Sequence, residues 1–170
     1  MIMETENLRL IQCDAVLLKE AIAGNKQLEK KLGVDVSEQW TEFGTDALRY
    51  SLERLSESEN ERGWWTYFPI HKKDNKLIGS GGYKGSPTVE EIVEIGYEIA
   101  PDYRNRGLAT EMTKWLIENA FEDNRVKRII AHTLGQENPS TRVLTKAGFE
   151  RVEEINDPEE GLIWKWELLK

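Results

Sequence analysis

Apolar residues fall in short, differently spaced groups along this chain, and the spacing predicts its elements. Leu8-Arg9-Leu10-Ile11 reads as a short strand. Asp14 stands before Ala15–Ala23 as a capping residue and Gly24 follows, so that segment reads as a helix. Leu48, Leu52 and Leu55 recur at three- and four-residue intervals, the stripe of a second helix beginning near Thr45 or Asp46. The polar run 56–61 after it is a solvated loop. Residues 64–70 are aromatic and β-prone, Lys73-Asp74-Asn75-Lys76 is a turn, and Leu77-Ile78-Gly79 begins a return strand. Gly79, Gly81 and Gly82 weaken that strand and mark a bulge or a close backbone approach.

A third strand covers residues 92–100 and Pro101 stops it. Alternation puts Val93, Ile95 and Tyr97 on one face and Glu94, Gly96 and Glu98 on the other. Leu108, Met112, Trp115, Leu116 and Ala120 then build one apolar helical face. Residues 128–134 form a further strand, and 140–147 a short helix ended by Gly148. Residues 149–155 and 162–169 pair across an Asn156-Asp157-Pro158 turn, with Trp164, Trp166 and Leu168 turned inward. The order is β-α-α-β-β-β-α-β-α-β-β. No repeat, low-complexity tract or long linker divides it, so a single mixed α/β domain over 1–170 is expected.

Composition narrows the classes. The 170 residues are 39% hydrophobic and 32% charged, too apolar for a disordered chain and too polar for a membrane protein. No apolar run approaches the ~18 residues of a membrane span. The start carries no basic stretch followed by an apolar one, so no signal peptide is expected and the cytoplasm is the expected location. Cys13 is the one cysteine, which excludes an internal disulfide and a cysteine zinc cage. The net charge of −8 argues against nucleic acid as a partner and suits a cationic substrate or a basic peptide terminus.

The segment Arg104-Asn105-Arg106-Gly107-Leu108-Ala109-Thr110 sits between a strand and a helix. Gly107 and the small Ala109 let backbone N–H groups turn inward at a helix N-terminus, where the dipole also favours an anion. Arg104 and Arg106 add positive charge for a diphosphate. An ordinary strand-to-helix turn with surface arginines is the alternative, and the loop alone does not separate the two. It is neither a Walker A loop nor the Gly-x-Gly-x-x-Gly fingerprint.

Arg104-x-x-Gly107-x-Ala109 resembles the acetyl-CoA signature, Gln/Arg-x-x-Gly-x-Gly/Ala, of the GNAT superfamily of N-acetyltransferases. The run Val93-Glu94-Ile95-Gly96-Tyr97-Glu98-Ile99-Ala100-Pro101 leads into it as that family's fourth strand does, and the element order agrees over the whole chain. Glu4-Thr5-Glu6-Asn7-Leu8-Arg9-Leu10 and Asn138-Pro139-Ser140-Thr141-Arg142-Val143-Leu144 look most like the Rim-type branch, which includes acetylases of ribosomal-protein N-termini. The resemblance implies a mostly antiparallel central sheet flanked by helices and acetyl-CoA as co-substrate, with no metal. The diphosphate would lie on the N–H groups of Asn105, Arg106, Gly107, Leu108, Ala109 and Thr110. The pantetheine arm would run between the strands at 92–100 and 128–134, pairing with backbone near Ile99 and Ala100. Asn138 would bond the pantetheine or phosphate region through its side-chain amide, or else cap the helix that follows.

The reaction so implied is direct attack of a primary amine on the thioester, with a peptide or protein α-amine or a small-molecule amine as acceptor. An alkyl ammonium with pKa near ~10 must lose a proton first. Glu94 is the first candidate for that base and Glu91 the reserve, should a bulge swap the faces; a surface glutamate is the plain alternative for Glu94. The tyrosine acid of many members is replaced here by Leu144. Ser140 is the matching donor to the sulfur, with a helix-cap role as its alternative. A backbone N–H near Tyr97 or Ile99 would meet the oxyanion. His132 reads as a structural histidine in an apolar strand, and His71 as a strand-end residue in solvent. One of Trp64 and Trp65 points away from the core, for packing or an acceptor pocket. A coenzyme A-binding module without turnover, and nucleotide-phosphate binding, are the competing functions. Homodimers are common in the resembled family, so a homodimer is a further expectation.

Overall fold

In the computed structural model, which describes residues 2–170, the chain alternates short strands and helices. They are β1 (Ile2–Glu4), β2 (Leu8–Gln12), α1 (Ala15–Ala23), α2 (Asn25–Leu32), β3 (Asp35–Val36), α3 (Gly44–Glu57), β4 (Thr66–His71), β5 (Lys76–Leu77), β6 (Gly79–Tyr83), β7 (Ile92–Ile99), α4 (Leu108–Glu122), β8 (Arg128–Leu134), α5 (Pro139–Lys146), β9 (Glu150–Asp157) and β10 (Gly161–Leu169). The strands form one sheet in the order β1-β2-β4-β6-β7-β8-β10-β9, with β3 and β5 paired at the side. Every pairing is antiparallel except β3 with β5 and β7 with β8.

Local chemistry accounts for several boundaries. The Asp14 carboxylate accepts the Leu17 N–H at 2.8 Å and starts α1. The Asp157 carboxylate accepts the N–H groups of Glu159 and Glu160 at 2.8 and 2.9 Å, turning the chain from β9 into β10. Three elements have no counterpart in the sequence-based order: β1, α2 and β3. In α2 only Leu28 is buried, so no apolar stripe announces it. The return strand predicted from Leu77 is split into β5 and β6, and the second piece runs through the glycines to Tyr83.

Helices cover both faces of the sheet. On one face Met112, Leu116 and Ala120 of α4 are fully buried against Val93, Ile95 and Ile129, with Trp164 and Trp166 in the same core. On the other, Leu18 and Leu28 pack with Phe68, Ile70 and Leu77. β4 serves both cores, because Tyr67 points to the first and Phe68 and Ile70 to the second. Among the described residues no helix is long and apolar enough to cross a membrane, and no group of three metal-ligating side chains converges.

Candidate active site

The sheet opens at its middle. β7 and β8 pair only through Ile92, Val93 and Glu94 against Arg128, Ile129 and Ile130, and beyond those residues no pairing joins them. On its other side β7 stays paired with β6 from Gly79↔Ile99 to Tyr83↔Ile95 in unbroken register. Hydrogen bonds from the Ala100 N–H to Ile78 O at 2.7 Å and from the Lys84 N–H to Glu94 O at 2.9 Å fix the phase of that ladder. Antiparallel pairs alternate in which backbone groups they turn toward the partner. Residues 94, 96 and 98 therefore spend theirs on β6, while Tyr97 and Ile99 turn N–H and C=O toward the gap where β8 has left. The Ile99 carbonyl already accepts the Arg104 Nε–H at 2.9 Å.

At one end of this gap, the turn before α4 places Asn105 at φ 61° and Gly107 at φ 76°, both left-handed. No side chain caps α4. Its first bond runs from the Glu111 N–H to Gly107 O, so the N–H groups of Leu108, Ala109 and Thr110 have no partner within the helix. They line a cavity of about 300 Å³, and Arg142 and Lys146, one turn apart on α5, bring two exposed cations to its far wall. These donors and charges fit a diphosphate.

Two more cavities continue from there. A middle one of about 270 Å³ shares Ile99, Arg104, Ala109, Pro139 and Val143 with the first, and is also lined by Asn138 and Ser140. A third of about 380 Å³ lies between α3 and the floor made by β6 and β7, and shares Phe43, Tyr97 and Glu98 with the middle one. The Tyr97 hydroxyl donates to the Ser140 carbonyl at 3.2 Å, and the Ser140 Oγ lies 3.4 Å from it. Burial pushes the Tyr97 phenol up to about 12, the bond with Ser140 offsetting only part of this. Glu98, on the opposite face of β7, accepts the Glu42 N–H at 2.9 Å. Burial holds its carboxyl above the ordinary carboxylate range, and hydrogen bonds from Thr41, Glu42 and Phe43 counter this only in part.

Residues 10–150 match a protein-family model described as an acetyltransferase (GNAT) domain. The chain belongs to the GNAT acetyltransferases. It is 28% identical over 149 residues to the uncharacterised N-acetyltransferase YjdG of Bacillus subtilis (strain 168), covering 87% of this chain and 89% of that protein. Among solved structures, the ribosomal-protein-S5-alanine acetyltransferase of Vibrio fischeri superposes with a TM-score of 0.73 at 16% identity, over 99% of this chain and 96% of that one. RimL, a ribosomal L7/L12 α-N-protein acetyltransferase solved with coenzyme A, gives a TM-score of 0.71 at 14% identity, over 99% and 98% of the two chains.

Family membership makes this chain an acetyltransferase, and GNAT enzymes use acetyl-CoA. Of the residues singled out from the sequence, Ile99, Arg104, Asn105, Gly107, Leu108, Ala109 and Thr110 line the first cavity, and Asn138 and Ser140 the second. The Asn138 side-chain oxygen caps α5 by accepting the Thr141 N–H at 2.9 Å, leaving its NH₂ for other partners. Three residues fall elsewhere. Ala100 is 1% exposed in the core and gives its N–H to Ile78. Arg106 folds back over the Tyr103 ring, 4.8 Å from its centroid, and bonds the Asp102 carbonyl. Glu94 lines none of the three cavities and is held between Lys84 Nζ at 3.1 Å and His132 Nδ1 at 2.6 Å. The reserve, Glu91, lies at the closed end of β7 in a left-handed turn, and the unbroken register leaves no bulge to swap the faces. His132 is exposed rather than set in an apolar wall, and His71 is largely covered, packing on Tyr103. Trp64 and Trp65 are both buried, and Trp65 forms part of the third cavity. Sequence reading missed Glu98, the hydroxyl of Tyr97, Arg142 and Lys146. The i, i+4 spacing on α5 was a readable signal for the last two.

Proposed function

We propose that this GNAT enzyme transfers the acetyl group of acetyl-CoA to a primary amine by direct attack, with the reaction centre where the middle and third cavities meet. The observation that carries this reading is the shared lining of the three cavities. A diphosphate cradle, an arm-width gap and an acceptor space follow one another, and Tyr97 and Glu98 stand at the second junction. The chain fits acetyl-CoA on its own features: the uncapped start of α4, the two cations of α5, and the unpaired edge of β7 at Tyr97 and Ile99. When bound, it supplies the acyl group already activated as a thioester.

Glu98 takes the place that sequence reasoning gave to Glu94. It is four residues, about 13 Å of strand, nearer the open end of β7. A carboxyl held above its ordinary range is a better proton acceptor near neutral pH, and its charge draws in an ammonium ion. The N–H groups of Tyr97 and Ile99 are the donors available to a charge developing on an acyl oxygen in the gap. Tyr97 and Ser140 bring two hydroxyls to the leaving sulfur. Burial holds the Tyr97 phenol up at about 12, so it stays protonated and offers the developing thiolate a hydrogen bond. Chemistry by direct attack needs no nucleophilic side chain.

Thiol release with an amine acceptor tests these roles. Glu98→Gln is expected to cut kcat/KM at least 100-fold and to remove the carboxyl's inflection from its pH profile, leaving only the rise set by the amine itself. Tyr97→Phe combined with Ser140→Ala is expected to lower kcat at least tenfold. Coenzyme A affinity measured by calorimetry should stay within about threefold in both. Wild-type pH profiles and rates in both variants would refute the assignment.

A further inference from the structure

We infer that the acceptor is a primary amine carried on an uncharged aromatic or bulky apolar body, and that Gly96 is the residue that admits it; the inference rests on the transferase reading above. Gly96 lies in the interior of β7, on the same face as Glu98, and lines the third cavity. Glycine weakens a strand, so its presence calls for a reason. Its neighbours in the sheet have one. A Cβ on Gly79 would stand 2.1 Å from the Glu98 carbonyl oxygen, and one on Gly82 would stand 1.8 Å from the Trp65 carbonyl oxygen. Gly96 has none of this: its φ lies outside the left-handed region, and the sole atom within 4 Å of its Cβ position is Lys84 Cε at 3.9 Å. The missing side chain leaves open space in the cavity floor, where a ligand approaches the backbone.

The walls state what that ligand is. Phe43 and Tyr50 are 69% and 56% exposed, both on the cavity rim, and the Tyr50 ring meets the buried Trp65 edge-on at 5.5 Å. Large aromatic surface left open around a space of about 380 Å³ suits an aromatic guest of modest size. The charges limit it further. Glu98 is the one acid on the lining, at the end that joins the thioester gap. Lys84 lies opposite Glu94, about 13 Å along the strand, with its charge already paired there. A single ammonium at the Glu98 end is accommodated. A polyamine would carry its further charges toward Lys84, where the Glu94 carboxylate is already engaged by Lys84 Nζ and His132 Nδ1, and a free amino acid would bring its carboxylate against Glu98. A neutral aromatic body behind one amine fits both ends. An arylalkylamine has this chemistry, and so does the first residue of a peptide beginning with Phe or Trp.

Thiol release from acetyl-CoA is to be compared for 2-phenylethylamine and tryptamine, for peptides beginning with Phe or Trp, for spermidine, and for peptides beginning with Ser or Ala. One of the two aromatic arms is expected to exceed spermidine and the Ser and Ala peptides at least tenfold in kcat/KM, and the arm that leads identifies the source. Gly96→Val, a strand-favouring change, is expected to lower kcat/KM for the aromatic acceptor at least tenfold, chiefly through KM. Its coenzyme A dissociation constant by calorimetry should stay within twofold of wild type. Tyr50→Ser, at an exposed helix position, should move KM the same way and keeps the claim open to test if Gly96→Val misfolds. Equal or better turnover of spermidine or of the Ser and Ala peptides would overturn the inference and leave the transferase intact, as would wild-type kinetics in both variants. No thiol release with any amine, together with no heat on adding coenzyme A, would overturn both.

Discussion

Gly82 and Gly96 face each other across β6 and β7, yet alanine should act on them with opposite sign. Gly82 has φ 146°, and a Cβ there would lie 1.8 Å from Trp65 O and 2.9 Å from its carbonyl carbon. Ordinary contact at about 3.4 Å demands that β4 and β6 part by some 1.5 Å, which breaks the bond from the Tyr83 N–H to Trp65 O at 3.1 Å and loosens the Thr66↔Gly82 pair. Two ladder bonds cost about 1 kcal/mol each and the glycine-only backbone a further 1–3 kcal/mol, so Gly82→Ala should destabilise by roughly 3–5 kcal/mol. Gly96→Ala adds a methyl group to open space in a strand and should stabilise by about 0.5–1 kcal/mol through the unfolded chain. Urea unfolding followed by tryptophan fluorescence measures both, with the midpoint shifting and the slope unchanged. A loss below 1 kcal/mol at Gly82, or a loss of more than 1 kcal/mol at Gly96, would refute the steric reasoning, and the second result would also remove the ground for reading Gly96 as a ligand contact.

Arg142→Ala with Lys146→Ala should weaken coenzyme A binding about 10-fold at low salt and less at high salt, because both cations are exposed; calorimetry at two ionic strengths checks this. Glu111 joins the first turn of α4 to the β1–β2 turn by accepting from the Thr5 hydroxyl, the Asn7 N–H at 2.7 Å and Asn7 Nδ2 at 2.9 Å. Burial raises its carboxyl, but these bonds outweigh burial and hold it below the ordinary range. A depressed carboxyl contributes stability that is present above the unfolded value near ~4.3 and is lost as pH falls through the folded one. Glu111→Gln should therefore cost about 1–2 kcal/mol at pH 7, a melting shift of roughly 3–6 °C, and the difference from wild type should shrink toward pH 3.

What the sequence made legible, and what it did not, follows how local each cause is. The cap of α1, the face of α4 and the inward side of β10 rest on neighbours within a few residues, and each appears where its pattern put it. The turn at 104–110 is of the same kind, since its left-handed residues are written in the loop itself. Ala100 and Arg106 went to the core and to Tyr103 because their partners, Ile78 and the Tyr103 ring, are placed by the fold. The proposed base shows the limit most sharply. Alternation correctly put Glu94, Gly96 and Glu98 on one face, but alternation has no coordinate along the strand. Which of the two acids meets the junction depends on where β8 leaves β7, after Ile130, and on the 41–43 loop closing over Glu98 from 56 residues away. The Tyr97 hydroxyl, unlike its backbone N–H, escaped notice for the converse reason. Tyr97 shares a face with Val93 and Ile95, which are core, yet the same divergence of strands that exposes its backbone also carries its hydroxyl to Ser140. One fork in the sheet thus selects Glu98 on one face and Tyr97 on the other, and a substitution that prolonged the β7–β8 pairing past Glu94 would disable both without touching either.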